Sequence, residues 1–484
     1  MRIPSGAIIV GVMSLACAAA KGTKSGGVTL SRPVATSTKP GGLPAGASPA
    51  RATAAPTELA RASLGPLTIG KWRLENGLEI VLLPDPAATS VSYTTWFRVG
   101  SRDEDEAAGE TGLAHLFEHL MFTQTKDHAD GDFDRTIESV GGSSNAMTYY
   151  DFTAYVNDVP PDALEVTARL EADRMTNLDL RKRQVDNERD VVVEERLSSV
   201  EDSVDGTLDE LMYKQAFRRH PYRWPVIGWM KDIKSVTTEK AVAFYRRFYA
   251  PGNAIVVVAG RIEEAAALGV INAAYESLPT TAPTVRPAIA PERAPAAEVR
   301  AVVERPVSSD RLAIGFPAPG LADADRAAYE IVAELLAGGP SSRLNRDLVI
   351  DRAIASSVHG DVAPTKDPGL YALWIQTMPG HGAAEAETRV MAAIADLAAR
   401  AVSPAELAKA RARVETSFWR GLDSSHGRAE RIGEFEIAAG DFRRLFARAD
   451  ELAHVTADDV RRIVGTYLAP GARSVVVARP SGKP

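Results

Sequence analysis

The chain has 484 residues, 45% hydrophobic and 25% charged, close to soluble globular averages; this argues against wholesale disorder and against a polytopic membrane protein. Its 56 Lys and Arg against 63 Asp and Glu leave a net charge of −7, which argues against nucleic acid as the main partner. The single cysteine, Cys17, rules out a disulfide framework and thiolate metal sites, so any metal falls to His, Asp or Glu.

Arg2 is the only charge in the first twenty residues. An apolar run from Ala7 to Ala16 follows, then Cys17 and three alanines, which is the pattern of a secretory signal over residues 1–20. The run is too short to span a bilayer. Cys17, directly after the apolar core, resembles the lipidated cysteine of a bacterial lipoprotein signal, although Ser14, Leu15 and Ala16 depart from the usual lead-in; cleavage after Ala20 is the alternative. Residues 21–65 are Gly, Ser, Thr, Pro and Ala with hardly an aromatic residue, and are expected to form a disordered spacer. These features place the protein in the bacterial cell envelope, in the periplasm or lipid-anchored.

From residue 66, strand-like runs alternate with helical patterns. Trp72 to Leu83 reads as a hairpin with Asn76-Gly77 at its turn, and Ser90 to Val99 as the next strand. Helical periodicity covers about 108–124, 131–140, 161–175, 181–217 and 238–248, and Ile255 to Ala259 reads as a buried strand. This ending recurs. Val236-Thr237-Thr238-Glu239 returns as Val455-Thr456-Ala457-Asp458, Tyr249 and Pro251 as Tyr467 and Pro470, and Val256 to Ala259 as Val475 to Ala478, all offset by 218 or 219 residues. The pattern predicts an α+β fold built from two homologous α+β domains by internal duplication, each an antiparallel sheet packed with helices. The expected domains span 66–278 and 296–484, with a Pro-, Ala- and Thr-rich linker over 279–295. Ser403-Pro404-Ala405-Glu406 has the form of a helix start.

Thr111 to Phe122 carries the chemistry. On a helix, His115 and His119 lie on one face a turn apart, so both imidazoles can reach one ion. Glu118 borders that face and can hold a water without being a ligand. Two histidines call for one more ligand at a catalytic zinc, and the helical acidic run Asn187–Arg196 offers Glu188 and Glu195, which share a face two turns apart. Glu194 points away from that face.

His115-Leu116-Phe117-Glu118-His119 is the HxxEH arrangement of the inverzincins, and here the chain resembles the insulinase–pitrilysin family of zinc peptidases, most nearly the bacterial relatives of mitochondrial processing peptidase. The likeness runs over about 68–484: Gly141 to Tyr155 resembles the family's substrate-edge strand, and the segments around His220-Pro221-Tyr222, Val226-Ile227-Gly228, Gly338 to Leu344 and Asp367 to Tyr371 match further blocks. The resemblance implies one Zn²⁺ per chain held by His115, His119 and Glu195, whose spacing from His119 matches the family's third ligand. It implies catalysis by Glu118, support from Glu188, and an extended substrate along Asn145, Ala146 and Thr148.

The second half departs from the family. Active members carry an Arg and a Tyr seven residues apart that hold the substrate and the reaction intermediate. Here Val349 and Ser356 fall at those places, and Arg346 and Arg352 are out of register. The expectation is therefore a zinc metalloendopeptidase acting on unfolded peptides, as the catalytic subunit of a heterodimer with a zinc-free homologous chain that carries the pair. A non-catalytic assembly or chaperone-like subunit is the alternative.

Overall fold

The duplication predicts two sheets of like topology, and one strand order serves both. The computed structural model describes residues 55–282, 284–292 and 297–482. The first sheet holds β1 (Thr57–Leu64), β2 (Leu67–Arg73), β3 (Glu79–Pro84), β4 (Val91–Phe97), β5 (Ser143–Thr148), β6 (Thr153–Val159) and β7 (Ala254–Gly260), in the order β1-β2-β3-β7-β4-β6-β5. The second holds β8 (Val299–Arg305), β9 (Arg311–Ala318), β10 (Ala355–Val362), β11 (Gly369–Thr377) and β12 (Ser474–Pro480), in the order β10-β11-β9-β12-β8. Without the β1–β2 hairpin the first order is β3-β7-β4-β6-β5, strand for strand the equivalent of β8-β12-β9-β11-β10. Each sheet has its parallel pair at the same place, β3 with β7 and β8 with β12.

The helices of the first half are α1 (Leu113–Leu120), α2 (Asp132–Ser139), α3 (Leu164–Asn177), α4 (Lys182–Arg196), α5 (Val204–Ala216), α6 (Met230–Lys234), α7 (Thr238–Phe248) and α8 (Glu264–Tyr275). Those of the second are α9 (Arg326–Ala337), α10 (Ala383–Ala399), α11 (Pro404–Arg420), α12 (Ser425–Ala438), α13 (Arg444–His454) and α14 (Ala457–Tyr467). The repeated threonines do the same work in both: Thr237 accepts from Lys240 N–H at the start of α7, and Thr456 from Asp459 N–H at the start of α14. Ser403 caps α11 in the same way, with Pro404 in its first turn.

Three expectations change. The spacer predicted for 21–65 ends earlier, because Thr57–Leu64 is β1 and pairs antiparallel with β2. Ala60, Ala62 and Leu64 alternate inward there, a period of two that a composition dominated by small residues conceals. The signal segment 1–20, Cys17 and the spacer up to residue 54 lie outside the described residues. The helical run 181–217 is two helices, separated by a wider turn over Leu197–Glu201 and restarted by Ser203, which accepts from Gly206 N–H. Helix α8, absent from the periodicity reading, packs beneath β3 through Ala267, Ile271 and Tyr275.

Helices α5 and α12 join the two halves. β7 is buried on both faces, with Val256 and Val258 in the core under α1, α3, α7 and α8, and Ile255, Val257 and Ala259 turned the other way. The second face is covered by α12 of the other half, through Ala429, Ile432 and Phe435. In exchange, α5 lays Leu208, Met212 and Tyr213 over Ala313, Leu370, Ala372 and Val476 of the second sheet. Each half thus lends one helix to the other's sheet. Asp151, Arg102, Tyr222, His220 and Asp367 join the halves nearby: Tyr222 Oη donates to Asp151 at 2.9 Å, Arg102 reaches both aspartates, and His220 Nε2 lies 3.0 Å from Asp367.

Candidate metal centre

Helix α1 packs between β5, β6 and α4, with Leu113, Leu116, Phe117 and Leu120 buried in the first core. The 3.6-residue period leaves His115, Glu118 and His119 on its remaining face, each side chain 12–15% exposed. Tyr155 Oη of β6 donates to the Phe117 carbonyl at 2.8 Å and ties the helix to the sheet. Helix α4 presents Glu188 and Glu195 to the same space, while Glu194 is exposed to solvent.

The two helices bring the donors together. Glu195 Oε2 lies 3.3 Å from His119 Nε2, and Glu195 Oε1 lies 3.7 Å from His115 Nε2. One ligand atom each from His115, His119 and Glu195 can be drawn within 4.8 Å of the others, and no other such group of three occurs among the described residues. Glu188 Oε2 is 3.7 Å from the opposite nitrogen of His119, Nδ1, and Glu118 Oε2 is 4.0 Å from His115 Nε2. Glu188 therefore faces the far side of the imidazole from Glu195.

The charges suit a cation. Burial disfavours the His119 imidazolium, but the facing carboxylates of Glu188 and Glu195 outweigh it and push its pKa up to about 10. Burial disfavours the His115 imidazolium and, against the pull of Glu118 and Glu195, holds its pKa below the usual histidine range. Burial opposes the Glu195 charge, yet the histidines beside it bring its pKa below the ordinary value. Two imidazole nitrogens and one carboxylate are the donor set of a catalytic zinc, so the residues present fit that ion.

The remaining predicted positions fall as follows. Asn145, Ala146 and Thr148 lie on β5, the edge strand beside α1, with Asn145 exposed and Ala146 and Thr148 buried. Val349 packs half-buried against the second core, and Ser356 is exposed on β10. Arg346 pairs with Asp351 and Arg352 with Asp347. The other six histidines are engaged elsewhere: His128 with Asp173, His220 with Asp367, His426 with Asp158, His381 with Glu385, His454 with the Asp450 carbonyl, and His359 stacked on Trp374.

Sequence reasoning missed the fastening between the two helices. Gly112, at φ 93° before α1, and Gly228 meet backbone to backbone, where a Cβ on Gly228 would fall 2.4 Å from Gly112 N. Arg196, next to Glu195, donates from Nη1 to the Gly228 carbonyl at 2.8 Å. The signal was the pairing of two glycine-bearing blocks more than a hundred residues apart, which spacing within either block does not reveal.

Comparison with known proteins follows the same lines. Residues 79–228 match the family model described as Insulinase (Peptidase family M16), and residues 235–414 match its companion, Peptidase M16 inactive domain. The chain belongs to the insulinase (M16) peptidase family. Among M16 relatives, it is 28% identical to the zinc protease PqqE of Helicobacter pylori over 84% of this chain and 92% of that protein. It is 24% identical to a probable mitochondrial-processing peptidase subunit beta of Arabidopsis thaliana, over 82% of this chain and 75% of that one. The crystal structure of a protease from Helicobacter pylori superposes with a TM-score of 0.81 at 27% identity, over 88% of this chain and all of the other. The first half of the periplasmic protease PqqL from Escherichia coli shares the fold at a TM-score of 0.70 and 19% identity, over 89% of this chain and 94% of that one.

Proposed function

We propose that the chain is a zinc metalloendopeptidase that hydrolyses unfolded peptides. The observation that carries this reading is the convergence of His115, His119 and Glu195, with Glu118 beside them and Glu188 behind His119. His115, His119 and Glu195 would hold the zinc, whose Lewis acidity would act on the scissile carbonyl and on water. Glu118 takes the proton of the attacking water and passes it to the leaving amine. Glu188 keeps His119 in the tautomer and orientation that direct Nε2 inward. The open edge of β5 binds substrate as an added strand through main-chain hydrogen bonds along Asn145, Ala146 and Thr148, a mode that selects extended chains over folded ones.

The site is half of a working pair on this reading. Val349 and Ser356 supply no substrate clamp, which supports a heterodimer with a zinc-free homologue carrying the Arg and Tyr. Loss of such a donor costs about 10²–10³ in rate, so the chain alone is a slow enzyme. The signal-like residues 1–20 and the periplasmic relative in Escherichia coli support export to the cell envelope, with Cys17 the candidate for lipid attachment. A non-catalytic assembly subunit is the competing reading. It has no need for all four of His115, Glu118, His119 and Glu195.

The test is hydrolysis of a mixed library of unstructured peptides by the zinc-loaded chain, with Glu118→Gln as the blank. Cleavage absent from the blank supports the reading. A chain that binds one zinc and cleaves only after a homologue with the Arg/Tyr pair is added supports the heterodimer; a chain that binds no zinc sinks both.

A further inference from the structure

The helix that carries His115 and His119 has a start with little to hold it. It is eight residues long, and its N-cap, Gly112, sits in the left-handed region with no side chain to offer. The first N–H groups of a helix have no partners within it. Here the Leu113 N–H donates to the Glu110 carbonyl at 3.0 Å. The N–H groups on either side go to one carboxylate: Gly112 N–H donates to Glu104 Oε2 at 3.0 Å, and Ala114 N–H to Glu104 Oε1 at 2.8 Å. Trp224 Nε1 also donates to Glu104 Oε2, at 3.1 Å. Glu104 is 5% exposed, and burial drives its pKa well up against these donors. A buried carboxylate is costly, and its favourable surroundings here are N–H groups and the positive end of α1.

We infer that Glu104 is a positioning residue for the metal centre: its carboxylate sets the register and axial rotation at which α1 begins, and so the directions of His115 and His119. The inference rests on the peptidase reading above. Ala114, whose N–H is bonded to Glu104, is the residue before His115. A slip of one residue at the helix start turns its side chains by about 100° and shifts them about 1.5 Å, enough to take both imidazoles away from Glu195 on α4. Thr111 cannot substitute, because its hydroxyl donates to Asp232 and accepts from the Trp229 N–H. A glutamine at 104 would turn an NH₂ group toward one of the two backbone N–H donors, replacing a hydrogen bond with a donor–donor contact.

Three variants of the full chain test this: Glu104→Gln, Glu104→Asp and Trp224→Phe. Zinc affinity is measured by chelator competition, ligand geometry by the visible spectrum of the cobalt-substituted protein, and stability by the Tm of the metal-free chain. Glu104→Gln should weaken zinc binding about 10–100-fold and change the cobalt spectrum. Glu104→Asp, with charge retained on a shorter stem, should lose less. Trp224→Phe removes a donor from the same carboxylate but leaves both α1 bonds in place, so it should lower Tm and keep wild-type zinc affinity. Wild-type affinity in Glu104→Gln overturns the inference, and so does a zinc loss in Trp224→Phe equal to that in Glu104→Gln. If Glu104→Gln does not fold, wild-type zinc affinity in Glu104→Asp overturns it. A wild-type chain that binds no zinc is a failure of the peptidase reading, seen before any variant is compared.

Discussion

Gly433 of α12 lies against the indole of Trp96 in β4, so close that a Cβ at 433 would fall 2.1 Å from Trp96 Cε2. The contact joins the two halves at the centre of the face that α12 covers. Trp96 is fully buried and cannot swing aside, because its Nε1 donates to Thr94 Oγ1 at 2.9 Å. Gly433→Val should therefore displace α12 and cost about 1–3 kcal/mol or more, read as a lower urea midpoint. Residues 56–278 expressed alone should fail to give a cooperative transition, because Val81, Leu83, Ile255 and Val257 would face water. A soluble, cooperatively folding first half would show that the helix exchange is dispensable.

Glu79 predicts an acid limit to stability. Burial raises its pKa, but Arg98, Arg73 and Lys71 more than reverse this and bring it from 4.5 down to about 2. Lys71 also reaches Glu436 of α12 at 2.6 Å, so the cluster spans the halves. The folded pKa is depressed, so the stabilisation is present above the unfolded value of 4.5 and is lost as pH falls from there toward about 2. A shift of that size corresponds to about 3 kcal/mol for a side chain 10% exposed. Unfolding free energies of the wild type and Glu79→Gln should differ most near neutral pH and converge on acidification. A gap that stays constant with pH would remove Glu79 as the cause.

Glu118 and His119 separate binding from chemistry. Glu118→Gln should keep the zinc and lose hydrolysis by about 10²–10⁴-fold. His119→Ala should lose both, since it deletes a candidate ligand and leaves Glu188 without its partner. Metal stoichiometry and peptide hydrolysis measured on the same samples distinguish the two. Loss of zinc from Glu118→Gln would make Glu118 a ligand instead.

Arg174 is 1% exposed in the first core, bonded to Glu171 through Nε at 3.1 Å, with its guanidinium 4.2 Å from the ring of Phe133 and 4.4 Å from that of Tyr155. Glu171 also accepts from Thr95 Oγ1 at 2.8 Å and Asn157 Nδ2 at 2.5 Å. Arg174→Met leaves that carboxylate buried without its cation, and should cost about 3–5 kcal/mol in denaturant unfolding. A loss under about 1 kcal/mol would mean that the two neutral donors suffice.

What the sequence determined by itself was local or periodic. Asn76-Gly77 specified its hairpin, the 219-residue recurrence specified two sheets of one topology, and a four-residue spacing placed His115 and His119 on one helix face, because helical geometry alone decides that. Seven-residue spacing likewise put Glu188 and Glu195 on one face of α4. Whether the two faces meet is a property of packing, and only the tertiary structure decided it, through buried Leu116 and Phe117, the Tyr155 bond to the Phe117 carbonyl, and the meeting of Gly112 with Gly228. The strand β1 was illegible because alanines that pack inward look like those of a spacer. The exchange of α5 and α12 was illegible for a deeper reason: β7 and β12 are apolar on both faces, so the pattern shows that each sheet must be covered twice and is silent on which half supplies the second cover. That choice belongs to the three-dimensional fit of Gly433 on Trp96 and of Met212 on Gly315.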